Sequence, residues 1–421
     1  MVDPNGLLAR ASSSLHDLSF RVGRPLAARA LFWLSRLEVL VQQTDRGVTH
    51  LLTASRYSDS RDFTSSICSN LELVRHTAPR LLPPCTSLKE IESRLLVLAE
   101  PMIEDGRVLR KGVLLVSFTE TAARLYSCPE RERLIERFHL VLEPSFAGYA
   151  DPAILCWLNV PEPVLVQATE RLDREFLTAL NSNLIPVPYG AGDWIDPDLF
   201  APEASEKTYA ALCVANYLIW KRTHAFLAAI RKARTLQPSL RAALVLAGSG
   251  KTKNSAQRTR GLITYYGLQD CVDVYERLDG QRLREVYGRS RCLVFPSWKE
   301  GSSRVVYEAM CMNVPVLVLQ ENVGVNKNYI VEETGVVVPE DRLAEEIVRQ
   351  NRRPPASSAR QWFIDHLGPV NTRRKLATDL ASAFPDERWN EDELYLKANT
   401  PEARYLSDGP ETSAVSAWLT H

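Results

Sequence analysis

Two glutamates eight residues apart, Glu300 and Glu308, stand in "KEGSSRVVYEAMCMNVPVLVL" (299–319). Between them lie Gly301, Ser302, Ser303 and Arg304. The apolar runs on either side, "RCLVFPS" (291–297) and "VPVLVL" (314–319), read as parallel strands buried on both faces. The stretch is then a loop at a strand's carboxyl end, where open α/β sheets bind ligands, followed by a helix. Ser302 and Ser303 are good N-cap residues. First-turn amides lack internal partners, and with the helix dipole they make an anion site. Gly301 lets an anion come close to the backbone. Arg304 is either a further cation for that site or a surface charge. The helix is expected to stop near Asn313, which tolerates the left-handed cap, before Pro315, which cannot continue a helix. Glu308 then lies roughly 8–9 Å along the axis from the helix start. The two carboxylates are too far apart to be an acid/base pair. A carboxylate accepts hydrogen bonds only and can hold two hydroxyls. Two of them flanking a diphosphate site suggest a ribose on one side and a sugar on the other, that is, a nucleotide sugar.

Other polar patterns say less. "GSGK" (248–251) is a glycine-rich turn, and "DPD" (196–198) is a D-x-D that its linker position makes a turn rather than a metal site. The eight cysteines are scattered, without CxxC or a Cys/His cluster, as free thiols in a reducing compartment would be. Lys+Arg 51 against Asp+Glu 51 gives no field to attract nucleic acid.

The elements that must position these groups form two βα series. A length of 421 residues suggests two or three domains. Residues 1–105 read as helix and loop, with "PLAARALFWLSRLEVLVQ" (25–42) an amphipathic helix whose apolar face packs on protein or touches a membrane. The N-terminus has no apolar core of signal-peptide length. Strands are expected at 111–118, 139–145, 163–169 and 184–190, with helices between them, as in an open parallel sheet. A turn-rich linker covers 190–208. Strands at 209–216, 241–250, 271–276, 291–297, 314–319 and 333–340 form a second series. The fold class is therefore α/β with two doubly wound units and an extra, mainly helical N-terminal segment.

"EGSSRVVYEAM" followed by "NVPVLV" resembles the E-x7-E signature of retaining GT-B glycosyltransferases of the family 4 group. The resemblance covers 185–350 well and 110–185 by architecture only. It implies two Rossmann-like domains facing a cleft. An acceptor-side domain would span 1–200 (1–105 mainly helical, 106–200 Rossmann-like) and a nucleotide-sugar domain 201–370. A helical tail, 371–421, would pack back on the first domain. By resemblance, Glu300 contacts the donor sugar and Glu308 the ribose. Lys221 falls on the family lysine that binds the diphosphate, and Asn216 stands where arginine is usual. Gly248 and Gly250 match the glycine-rich strand end near the donor, and the backbone around Tyr275 to Arg277 matches the segment that holds the base. Lys221 and Glu300 are thus the expected catalytic pair, with Gly301, Ser302, Ser303 and Arg304 beside them.

The family often carries an active-site histidine after an early strand, and "VSFTETAAR" (116–124) has none; His139 opens a strand at its far end. Glu143, Ser145 and Tyr149 in "EPSFAGYADP" are the acceptor-side candidates. The expected activity is hexosyl transfer from a UDP- or GDP-sugar to a hydroxyl of a polysaccharide or glycolipid intermediate or of a small molecule. The anomeric configuration would be retained, with no cofactor and no metal. The location is the cytoplasm, with peripheral membrane contact through 25–42 as an extension. A nucleotide-sugar epimerase or hydrolase on the same fold, or a scaffold without turnover, are the competing readings.

Overall fold

The structure, a computed structural model, describes residues 4–58, 60–247, 253–352, 358–399, 403–406, 409–410 and 414–419. The chain divides into two compact units: Met1–Ser19 with Ile195–Gly368, and Phe20–Trp194 with Pro369–His421. The opening helix α1 (Pro4–Leu18) belongs to the first.

The second unit begins with helices α2 (Arg24–Leu40), α3 (Thr44–Tyr57), α4 (Arg61–Ser69) and α5 (Leu71–Thr77). Then come β1 (Leu95–Ala99), the hairpin β2 (Met102–Glu104) and β3 (Arg107–Arg110), and β4 (Gly112–Ser117). Helices α6 (Thr119–Tyr126) and α7 (Arg131–Arg137) lead to β5 (Phe138–Glu143), and α8 (Pro152–Leu155) to β6 (Val164–Gln167). Helix α9 (Arg171–Ala179) leads to β7 (Leu184–Val187). The sheet order is β1-β4-β5-β6-β7, with β1 antiparallel and the rest parallel. β4, β5 and β6 are buried along their whole length, as strands covered on both faces must be, and β5 takes His139 and Glu143 into that interior.

The first unit holds β8 (Ala211–Asn216), α10 (Thr223–Leu236), β9 (Ala242–Ala247), α11 (Lys253–Tyr266), β10 (Val272–Glu276) and α12 (Gly280–Gly288). It continues with β11 (Leu293–Phe295), α13 (Arg304–Cys311), β12 (Val316–Leu319), β13 (Gly335–Val338), α14 (Leu343–Arg352) and α15 (Ala359–His366). All six strands are parallel, in the order β10-β9-β8-β11-β12-β13. The order reverses between β8 and β11, the doubly wound arrangement whose switch point opens a crevice at the strands' carboxyl ends.

The chain ends with α16 (Gly368–Ala383) and the short pair β14 (Lys397–Asn399) and β15 (Ala403–Tyr405). Leu376, Ala377 and Leu380 of α16 pack with Leu115, Val141, Tyr189 and Trp194, so residues from 369 onward complete the unit of β1–β7.

Two boundaries correct the sequence reading. Residues 4–19, expected in a 1–200 domain, pack instead with the 195–368 unit: Ala9 joins the core of α10, α11 and β8, and Gly6 is so close to α11 that a Cβ would meet Gly261 O at 2.3 Å. The 1–105 segment also contributes a sheet strand, β1, whose run "LLVLA" is wholly buried.

Candidate functional site

The switch point brings together two loops from distant parts of the sequence, the one after β8 and the one after β11. Trp298 N donates to Trp220 O at 3.0 Å and holds the loops side by side, with Ser297 Oγ 3.2 Å from the same carbonyl. A third loop joins them. Glu300 N donates to Val323 O and Val323 N to Trp298 O, both at 2.9 Å. Gly324, at φ +118°, comes so close that a Cβ there would meet Glu300 O at 2.0 Å. Only glycine allows this approach.

Within this frame Lys221 Nζ lies 2.6 Å from Glu300 Oε1, and Ser297 Oγ donates to the same oxygen at 2.5 Å. Glu300 is buried and Lys221 largely so. The expected catalytic pair is thus in direct contact. Lys221 brings the positive charge a diphosphate requires, and Glu300 brings acceptors a sugar's hydroxyls require.

Helix α13 begins right after this loop. Its N-cap is Ser303, in extended conformation and with no side-chain cap bond, so this hydroxyl leaves the first-turn amides alone. Gly301 is buried, while Ser302, Ser303 and Arg304 are half-buried. The helix ends as expected: Asn313 adopts φ +55°, and Val314 N donates to Ala309 O at 2.8 Å in a Schellman-type stop. Glu308 is buried inside α13, and Tyr287 OH donates to its Oε2 at 3.1 Å. Burial pushes the Glu308 carboxyl above its ordinary range, against Arg304 and Tyr287, which pull it down.

The remaining donor-side expectations fare differently. Asn216 Oδ1 accepts from Leu218 N at 3.0 Å, a local turn bond. Arg277 is exposed at φ +55°, with its amide donating to Leu246 O at 3.0 Å, while Tyr275 OH meets Tyr209 OH at 2.6 Å. Gly248 and Gly250 lie outside the described residues.

Sequence reasoning missed what holds the two loops. Arg222 follows Lys221, sits in the left-handed region at φ +52°, and its side chain is fully buried. Its guanidinium donates to Asp17 Oδ2 at 3.0 Å and Oδ1 at 3.2 Å and to Glu340 Oε1 at 2.7 Å, and lies 3.9 Å from the centre of the Trp298 ring. Asp17 Oδ1 also accepts from Trp298 Nε1, and its Oδ2 pairs with His224 Nε2, both at 2.9 Å. Burial raises the Asp17 carboxyl, but hydrogen bonds from His224 and Arg222 outweigh it and hold the group well below the usual carboxylate range. Asp17, on α1, therefore fixes the residues next to Lys221 and Glu300.

In the other unit, two acceptor-side candidates are engaged inside the fold. Glu143 is buried and paired with Lys397, Oε2 to Nζ 2.9 Å, with Ser117 Oγ at 3.4 Å from its other oxygen. Its charge is already answered inside the core. Tyr149 is buried, its OH donating to Gln167 O at 2.6 Å. Ser145 is half-buried and lines an open cavity of about 1030 Å³ at the carboxyl ends of β4 and β5. Phe118, Thr119, Arg94 and Arg124 line it too. Phe118 is exposed at φ +71°, a conformation that side chains rarely adopt, with Arg94 4.8 Å from its ring centre. His139 is buried at the start of β5, 2.9 Å from Glu387, away from this cavity's end of the strand.

Residues 208–352 match the sequence family described as "Glycosyl transferases group 1". No curated protein matches the chain. Among solved structures, the chain is similar to Anabaena Alr3699/HepE in complex with UDP, at 16% identity over 64% of this chain and 78% of that one, TM-score 0.51. It is also similar to the sucrose-phosphate synthase of Thermosynechococcus elongatus, at 20% identity over 65% of this chain and 74% of that one, TM-score 0.51. These likenesses give the fold, GT-B.

Proposed function

We propose that this chain is a glycosyltransferase that binds a nucleotide-diphosphate sugar at the β8/β11 switch point and moves the sugar to an acceptor hydroxyl with retention of configuration. The observation that carries the reading is the contact of Lys221 with Glu300, immediately before the first turn of α13. The diphosphate needs its charge stabilised as the glycosidic bond breaks, the largest contribution in many enzymes. Lys221 and the amides around Gly301 to Arg304 supply it. Once Lys221 turns to the phosphate, Glu300 is free to accept from the sugar's hydroxyls. Glu308 accepts from the ribose, and Tyr287 OH orients its other oxygen. The acceptor's hydroxyl oxygen forms the new glycosidic bond as the bond from the sugar to the diphosphate breaks, and the departing phosphate takes the hydroxyl's proton, so no side chain needs to act as a nucleophile.

UDP is the first donor base to try, since Anabaena HepE, which shares the fold, was solved with UDP and with UDP-glucose. The test is turnover of UDP-sugars with and without glycolipid, oligosaccharide and small-molecule acceptors. Product stereochemistry is read by proton NMR. Acceptor-dependent release of UDP with a retained anomeric centre supports transfer. Acceptor-independent release of free sugar would point to a hydrolase, and binding of donor without release to a scaffold.

A further inference from the structure

Helix α2 has two apolar faces, and one of them is already used. Ala28 and Ser35 are buried towards α3, and Gly47 of α3 is so close that a Cβ there would meet Val39 Cγ2 at 2.8 Å. Glu38, the one acid of α2, is turned to His50 of α3 at 2.7 Å. The opposite face carries Leu26, Trp33, Leu37 and Leu40, exposed by 59, 61, 60 and 78%. Leu34 and Val41 widen the same stripe and are also exposed. Side chains spaced three and four apart share one helix face, so these form one band along a helix about 25 Å long. A band of this size on a soluble surface marks an interaction site.

The charges beside the band choose the partner. Arg29 and Arg36 are exposed next to it, and neither has a carboxylate partner among the described residues. The Arg36 guanidinium lies 5.5 Å from the centre of the Trp33 ring and 5.9 Å from that of Phe32, which places its charge at the edge of the band. A second copy of the chain would set these arginines against the same seam with no acid of α2 to answer them. A lipid surface offers hydrocarbon for the leucines, an interfacial depth for Trp33, and anionic headgroups for the arginines. Among the described residues no helix is long and apolar enough to cross a membrane.

We propose that α2 lies flat on an anionic lipid surface with Leu26, Trp33, Leu37 and Leu40 inserted and Arg29 and Arg36 at the headgroups. The inference does not depend on the donor site. It is tested with the full chain, by co-sedimentation with vesicles of phosphatidylcholine alone or mixed with phosphatidylglycerol. Binding is expected to the mixed vesicles and to weaken with salt. Removing both arginine charges in R29Q/R36Q is expected to weaken it on the order of twenty- to thirtyfold. L37E/L40E, both at exposed positions, is expected to abolish it while the melting temperature stays the same. The inference is overturned by absence of vesicle binding, or by binding that L37E/L40E leaves intact. A dimer in light scattering that L37E/L40E converts to monomer, with no vesicle binding, would assign the band to a second copy instead.

Discussion

Asp17→Ala is the substitution whose consequence is largest for its distance from the chemistry. It removes two hydrogen bonds from Arg222, one from Trp298 Nε1 and the partner of His224. Losing one partner of a buried ion pair costs about 3–5 kcal/mol, because the other charge stays buried. Glu340 still contacts Arg222 at 2.7 Å, so the expected loss is smaller, about 2–4 kcal/mol for the unit of β8–β13. Asp17→Asn keeps an acceptor and should lose roughly half as much. The Asp17 carboxyl is held below its ordinary value, so its contribution is complete above pH 3.8 and is lost as pH falls through the folded value. With two units the chain is not expected to unfold in one step. Hydrogen exchange at 218–224 and 296–300, together with urea unfolding, reads the effect where it arises. Donor affinity should fall as well, since Arg222 adjoins Lys221 and Trp298 precedes Glu300 by two residues. Unchanged exchange protection in both segments, and a stability within about 0.5 kcal/mol of wild type, would refute this account of Asp17.

Lys221→Ala should weaken nucleotide binding about 10- to 100-fold, the worth of a charge-assisted hydrogen bond, whereas Glu300→Ala should impair transfer more than binding; calorimetry and turnover separate the two. Ionised Glu308 accepts from a ribose more strongly than the protonated acid does, and its carboxyl is raised by burial, so nucleotide affinity should fall on acidification already above the ordinary value of 4.5; Glu308→Gln should flatten that dependence, and a dependence equal to wild type would reject the role. The raised value also means that charging Glu308 opposes folding, so Glu308→Gln should keep or increase the thermal stability above that pH. Gly324→Ala places a Cβ 2.0 Å from Glu300 O at φ +118°, and should lower transfer while costing at least about 1 kcal/mol of stability; normal activity in this variant would show that the Glu300 loop need not be held.

Local patterns announced much of this. The apolar runs of β8, β9, β11 and β12 are short and uninterrupted, so each was legible as a buried parallel strand. Asn313 marked the end of α13 because a left-handed stop depends on residues a few positions apart, whereas Ser303 stands at its start without a cap bond from its hydroxyl. The donor-side pair was legible only through the resemblance, since nothing local links Lys221 to Glu300. What stayed hidden is long-range. Asp17 meets Arg222 across 205 positions, and Lys397 meets Glu143 across 254. An aspartate in an amphipathic helix and a lysine in a polar tail look solvated until the fold buries them. The second case gives Glu143 a partner that no local pattern shows. Phe118 at positive φ has no sequence signal either, because nothing about phenylalanine announces a conformation it disfavours.

The most direct measurement is a thermal-shift titration of the full chain with UDP, GDP, ADP and TDP and their sugars, run in parallel on Lys221→Ala. The account predicts stabilisation by one nucleotide series, about 2.7 kcal/mol at one hundred times the dissociation constant, and its loss in the variant. Stabilisation by none of them, or by one of them equally in wild type and Lys221→Ala, would contradict a donor site at the β8/β11 switch point.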